Sequence, residues 1–136
     1  VNQFNMSPTC QFMMNRGIRG ATTVTRNDEQ EIVQETLRLL EEMVRRNELQ
    51  PEYISNIWIT MTQDLDAAFP AKAIRQLEGW DLVPLMCSVE IPVQGSLPRC
   101  IRFMVQVNTD KSQSEIKHVY LNEAKRLRPD LSGSNA

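Results

Sequence analysis

Strands and helices within one domain are what this sequence predicts, and three observations carry the prediction. Four stretches are rich in β-branched and apolar residues at or near a period of two, one long stretch repeats apolar residues at helical spacing, and turn-forming residues separate them. At 136 residues the chain suits a single domain, able to bury about two thirds of the surface its unfolded form exposes. The pattern is organised around the segment from Cys100 to Val107. There Ile101, Phe103, Val105 and Val107 share one face, and Cys100, Arg102, Met104 and Gln106 share the other. Arg102 therefore stands mid-strand among Cys and Met, where an unpaired charge is costly. It requires either an internal Glu or Asp, or an anionic ligand held by the planar guanidinium.

Composition narrows the possible functions. The hydrophobic share of 41% and charged share of 24% are those of an ordinary water-soluble domain. No apolar run approaches the roughly 20 residues of a membrane span, and no charged and apolar leader opens the sequence, so a cytoplasmic chain without a membrane partner is expected. Cys10, Cys87 and Cys100 lack metal-ligand spacing and there is one histidine, which argues against a disulfide framework or a zinc site; no metal and no cofactor are expected. The stretch from Asp28 to Glu52 holds eight of the seventeen acids and three of the fifteen bases, leaving the remainder mildly cationic. Arg outnumbers Lys eleven to four, which suits planar carboxylates, whereas a nucleic-acid surface calls for a dense basic patch with interleaved aromatics; nucleic acid is not an expected partner.

Taken in order, residues up to Phe12 show no period and read as a flexible extension. Arg16 to Val24 reads as a strand, with Gly17 and Gly20 permitting close approach by another backbone or a ligand. Pleating sends Arg16 and Arg19 to opposite faces. Arg19, between residues that leave space around it, is the candidate for ligand contact, against the alternative of two ordinary surface arginines. Asn27 is a plausible N-cap with Gln30 three residues on, and Ile32, Val33, Thr36, Leu37, Leu40, Met43 and Val44 then recur at helical spacing. The acidic residues of that helix lie outward, as a solvated face.

Ile54 to Thr62 alternates again and predicts a second strand. Pro70 can open a helix and Gly79 close it, with Lys72 and Arg75 projecting from one face near the helix start, a modest anion-binding signal. Val83 to Glu90 is a third strand, in which Cys87 and Glu90 point to opposite faces unless the strand ends or bulges between them. Ile91 to Arg99 is a loop. Ser112 and Glu115 form a capping box, predicting a short helix with Ile116, Val119 and Tyr120 on one face and His118 off it. No Ser or Cys set marks His118 as part of a nucleophilic system.

Several of these motifs, in this order, resemble the monofunctional chorismate mutases of the Bacillus type. They are Arg16-Gly-Ile-Arg-Gly-Ala-Thr-Thr-Val24, Phe69-Pro-Ala-Lys-Ala-Ile-Arg75, Gly79-Trp80, Cys87 with Glu90, Cys100-Ile-Arg102, His118-Val-Tyr-Leu121 and Leu127-Arg-Pro-Asp-Leu131. The resemblance implies an α+β fold, a mixed β-sheet with helices packed outside, and three subunits closing into a pseudo α/β-barrel homotrimer with active sites at subunit interfaces. It implies a domain over residues 14–131, an extension over 1–13 and a tail over 132–136. It also implies a substrate, chorismate, and its Claisen rearrangement to prephenate without metal, cofactor or covalent intermediate.

On this resemblance Arg102 would donate to the ether oxygen, and Glu90 and Cys87 would address the ring that becomes relatively positive. Arg19, Arg75, Arg128 and Tyr120 would contact carboxylates, Phe69, Ala71 and Leu127 would form the wall, and Lys72 would lie beside them. One departure is Met86, where the family places a small hydroxyl residue before the pocket cysteine. Two other readings remain: a non-catalytic sensor of an aromatic-pathway carboxylate, and a structural trimer of the small deaminase-like type. The sensor needs carboxylate clamps but has no use for a donor at the ether oxygen.

Overall fold

The computed structural model describes residues 13–132. Cys10, nearly all of the expected extension and all but the first residue of the expected tail lie outside the described residues. Five strands form one mixed sheet: β1 (Met14–Thr23), β2 (Ile54–Met61), β3 (Leu85–Val89), β4 (Cys100–Thr109) and β5 (Val119–Tyr120), in the order β3-β2-β4-β1-β5. β4 is central and antiparallel to both β1 and β2, whereas β3 and β5 add to the outer edges in parallel. The helices are α1 (Glu29–Asn47), α2 (Pro70–Arg75) and α3 (Pro129–Ser132).

The period-two alternation decides which face is which. Ile18, Ile57, Ile59, Ile101, Phe103, Val105 and Val107 are buried on the core face together with Ile32, Leu39, Leu40 and Met43 of α1. α1 is long enough to cover β1 and carries acids in its first turn and Arg45 and Arg46 in its last, matching the helix dipole. On the other sheet face the described residues leave Trp58, Met86 and Met104 45%, 57% and 38% exposed.

The structure corrects three local expectations. The N-cap of α1 is Asp28, not Asn27: its carboxylate accepts from Glu31 N at 3.0 Å. Asn27 is used elsewhere, its Nδ2 donating to Asp66 at 2.7 Å while its Oδ1 accepts from the amides of Asp66 and Ala67, fixing the loop that enters α2. The predicted helix after Ser112 is a single 3-10 turn, Gln113–Glu115, followed by β5. The capping box is present, but Val119 and Tyr120 gain more by pairing with Gly20 and Ala21 of β1 than by continuing a helix. Buried Asn47 ties this segment to α1, accepting from Lys117 N and donating to Lys117 O, each at 2.8 Å. α2 stops at Arg75, well before Gly79, whose φ of 87° serves the following turn. No helix among the described residues is long and apolar enough to cross a membrane.

Candidate active site

Register brings the central residues together. Thr60 of β2 and Ala21 of β1 flank Arg102 of β4, and Met104 lies between Trp58 and Arg19 in the same way. Tyr120 sits beside Ala21. All of these side chains leave the sheet on the face that α1 does not cover, and they line a shallow cleft of about 230 Å³. The strand β3 ends at Val89, and Glu90, its amide held by Met61 O at 2.8 Å, turns its carboxylate onto this same face. One carboxylate oxygen accepts from the Thr60 hydroxyl, and the other lies 3.4 Å from Arg102 Nε. The charge expected to need compensation thus has an internal partner, but Arg102 remains 46% exposed towards the cleft.

Around this pair the electrostatics favour an anion. Arg19 and Arg128 both act on Tyr120 and on His118. Burial pushes the Tyr120 phenol up, despite those arginines, so it is a donor at neutral pH. The Arg128 guanidinium grips Asp130 through Nε and Nη2 at 3.1 and 2.9 Å. Leu127 packs with Leu97 and Leu131 against Ala21, Tyr120 and Ala124, forming a small apolar floor beyond the main core. The Cys100 thiol, buried at the start of β4, is pushed up to about 11 by desolvation and stays protonated.

The remaining sequence candidates lie elsewhere in the chain. Phe69, Lys72 and Cys87 line a larger cavity of about 870 Å³ between α1, the loop into α2 and the ends of β2 and β3. Cys87 pairs with Ile59 and points to the core side of the sheet, whereas Glu90 points to the open face; the strand ends between them without changing that parity. Lys72 and Arg75 are exposed on α2, and Phe69 is 72% exposed, an unusually open position for an aromatic ring. Ala71 is packed into the core. The described residues therefore hold two separate groups of candidates, an Arg-Glu pair with its flanking arginine and phenol, and an apolar cavity with a lysine at its rim.

Sequence reasoning gave Thr60 and Trp58 no place at the site and set His118 aside. The signal for Thr60 was present, because in an antiparallel sheet it shares the face of Arg102 once the register is known. His118 carried no such signal: its Nδ1 accepts from the backbone amide of Arg19 at 2.9 Å, a contact that depends on β5 being a strand.

A cationic cleft with a guanidinium-carboxylate pair, on the face of a mixed α+β sheet that α1 leaves open, has the chemistry to hold a small carboxylate. The family model for chorismate mutase type I matches residues 15–131. The chain is 52% identical over 120 residues to chorismate mutase AroH of Bacillus subtilis (strain 168), covering 88% of this chain and 94% of that protein. It is 48% identical over 122 residues to chorismate mutase AroH of Thermus thermophilus, covering 89% and 99%. The fold is similar to the solved structure of chorismate mutase from Clostridium thermocellum, with a TM-score of 0.79, 56% identity, and coverage of 82% of this chain and 98% of that one. The chain belongs to the chorismate mutase type I family.

Proposed function

We propose that this protein is a chorismate mutase that rearranges chorismate to prephenate, in the biosynthesis of phenylalanine and tyrosine. The reaction is unimolecular: the ether C–O bond breaks as a C–C bond forms, and no group leaves. Catalysis then consists of holding the compact, reactive conformer of the substrate and stabilising charge that separates in the transition state. The observation that carries the assignment is the Arg102-Glu90 pair on the open sheet face, in a chain of this family. Arg102 donates to the ether oxygen as negative charge grows on it, and Glu90, held by Thr60, faces the ring that loses electron density. Arg19, Tyr120 and Arg128 bind carboxylates on the same side.

The second group of candidates supplies the rest in this proposal. Phe69, Ala71, Lys72, Arg75 and Cys87 complete the pocket from a neighbouring copy, with Leu127 closing the wall. That arrangement is a homotrimer, a pseudo α/β-barrel with its sites between subunits and its domain spanning residues 14–131. Its support is the set of apolar side chains, Trp58, Met86 and Met104, that the described residues of one chain leave exposed on that face.

Adding the purified protein to chorismate and following loss of the substrate's ultraviolet absorbance tests the function, with prephenate identified by proton NMR. Tight binding with an unchanged absorbance would favour a sensor of aromatic-pathway carboxylates, and failure to bind would remove both readings.

A further inference from the structure

His118 stands one residue before β5, and its ring, rather than a backbone carbonyl, meets the edge of β1. The β1-β5 pairing is short: Gly20 and Ala21 face Val119 and Tyr120, and Leu121 N donates to Ala21 O at 2.9 Å. Two residues earlier on β1, the amide of Arg19 points to the same side and donates to His118 Nδ1 at 2.9 Å. An imidazole nitrogen accepts only when it carries no proton, so the ring is neutral and its proton sits on Nε2. We infer that His118 is a positioning residue for Arg19: its neutral ring fixes the backbone from which the guanidinium reaches the cleft, and a proton on Nδ1 releases that backbone. This inference rests on Arg19 binding substrate, as proposed above.

The surroundings enforce the neutral form. On β1, Arg16 and Arg19 line a cavity of about 380 Å³ shared with His118, Met104 of β4 and Gln113 of the 3-10 turn, and no carboxylate lines it among the described residues. Arg128, from the segment before α3, adds a further positive field. Burial and these two arginines, Arg19 and Arg128, hold the His118 pKa below its ordinary value of 6.5. Protonation would then place N–H against N–H at the β1 edge, beside cations. The guanidinium would lose its fixed starting point, so the affected step is substrate binding and not the chemical step.

His118→Asn and His118→Phe separate this role from a merely structural one. The Asn carbonyl oxygen stands near the position of Nδ1 and accepts without titrating, whereas Phe fills the space and cannot accept. Amide hydrogen exchange at Arg19 reads the bond, and steady-state kinetics on chorismate from about pH 5 to about pH 8 reads its consequence. In the native protein, kcat/KM should fall with acid through one ionisation below the ordinary histidine range while kcat stays level, and Arg19 exchange should accelerate on the same ionisation. The Asn variant should keep slow exchange and lose that acid limb. The Phe variant should exchange fast and raise KM about tenfold at every pH, with kcat changed by no more than about twofold.

An Asn variant that retains the native acid limb would overturn the inference, as would a Phe variant with native KM and an unprotected Arg19 amide. If the Phe variant does not fold, the Asn variant alone decides. Should Arg19→Gln bind chorismate normally, the substrate role of Arg19 is what fails, and the exchange measurement still judges the bond to His118.

Discussion

Arg102 Nε lies 3.4 Å from Glu90 Oε1, close enough for attraction and too long for a strong charge-assisted hydrogen bond, with the guanidinium half exposed. The pair is therefore not a closed structural bridge, and the half-exposed Arg102 side chain lines the cleft. Arg102→Gln should leave folding and melting temperature nearly unchanged, because surface-accessible pairs contribute little to stability. It should lower kcat by a few hundredfold, about 3 kcal/mol or more for a lost donor at a developing oxyanion, with a smaller change in KM. Lysine should restore part of the loss, keeping charge without the planar fork. Single-turnover rates and a melting curve check both halves, and a folded variant with native turnover would remove Arg102 from catalysis.

Trp58 tests the assembly. It lies across the open face between Met86 and Met104, where a neighbouring copy would cover it. Trp58→Glu leaves the core face of β2 untouched but sets a charge in the proposed contact, so sedimentation should shift from trimer to monomer and activity should drop by more than tenfold, as the proposal of sites shared between subunits requires. A fully active monomer would defeat the interface proposal.

Gly20 sits under Met43 of α1. A Cβ on the glycine would come within 2.3 Å of Met43 Sδ and 3.3 Å of Leu39 Cδ1, and Met43 is itself fully buried. Gly20→Ala should lose about 1–3 kcal/mol of stability by overpacking between β1 and α1. Denaturant unfolding gives the number, and the double variant Gly20→Ala with Met43→Ala should recover part of it.

Alkali acts on Cys100. The thiol ionises at 9.0 when unfolded and at about 11 in the folded chain, because burial penalises the thiolate. Between those values the unfolded state has lost a proton that the folded state keeps, so stability falls as pH rises from about 9 and levels above about 11. Cys100→Ala should flatten this limb in chemical denaturation at a series of pH values, at the cost of a small cavity.

The strands were legible because alternation is a local signal: the buried and more open positions of β4 alternate residue by residue from Ile101 to Val107. The end of the chain was less so. Ser112 and Glu115 carry a true helix-start signal, and tertiary pairing with β1 overrode it after one turn. In the same way Asn27 and Asp28 compete for one cap, and only the loop at Asp66 and Ala67 decides which is used. At the site, Arg102 with Glu90 could be nominated from residue types and family motifs, and the fold brings them together. The division of Cys87, Phe69 and Lys72 from Arg19 and Tyr120 was not legible, because it depends on sheet parity and on the position of the β3 edge, which are long-range properties.

The alternation of β1 and β4 has a further consequence for how such a chain can change. Ile18 and Arg19, like Ile101 and Arg102, are neighbours in sequence with opposite destinations, one in the core and one in the cleft. Deleting a single residue within either strand would exchange the two sets at once, burying a guanidinium and exposing an isoleucine along the rest of the strand. A change of length is therefore best accommodated in the connections, such as residues 91–99, whereas within these strands a residue can be exchanged far more readily than removed.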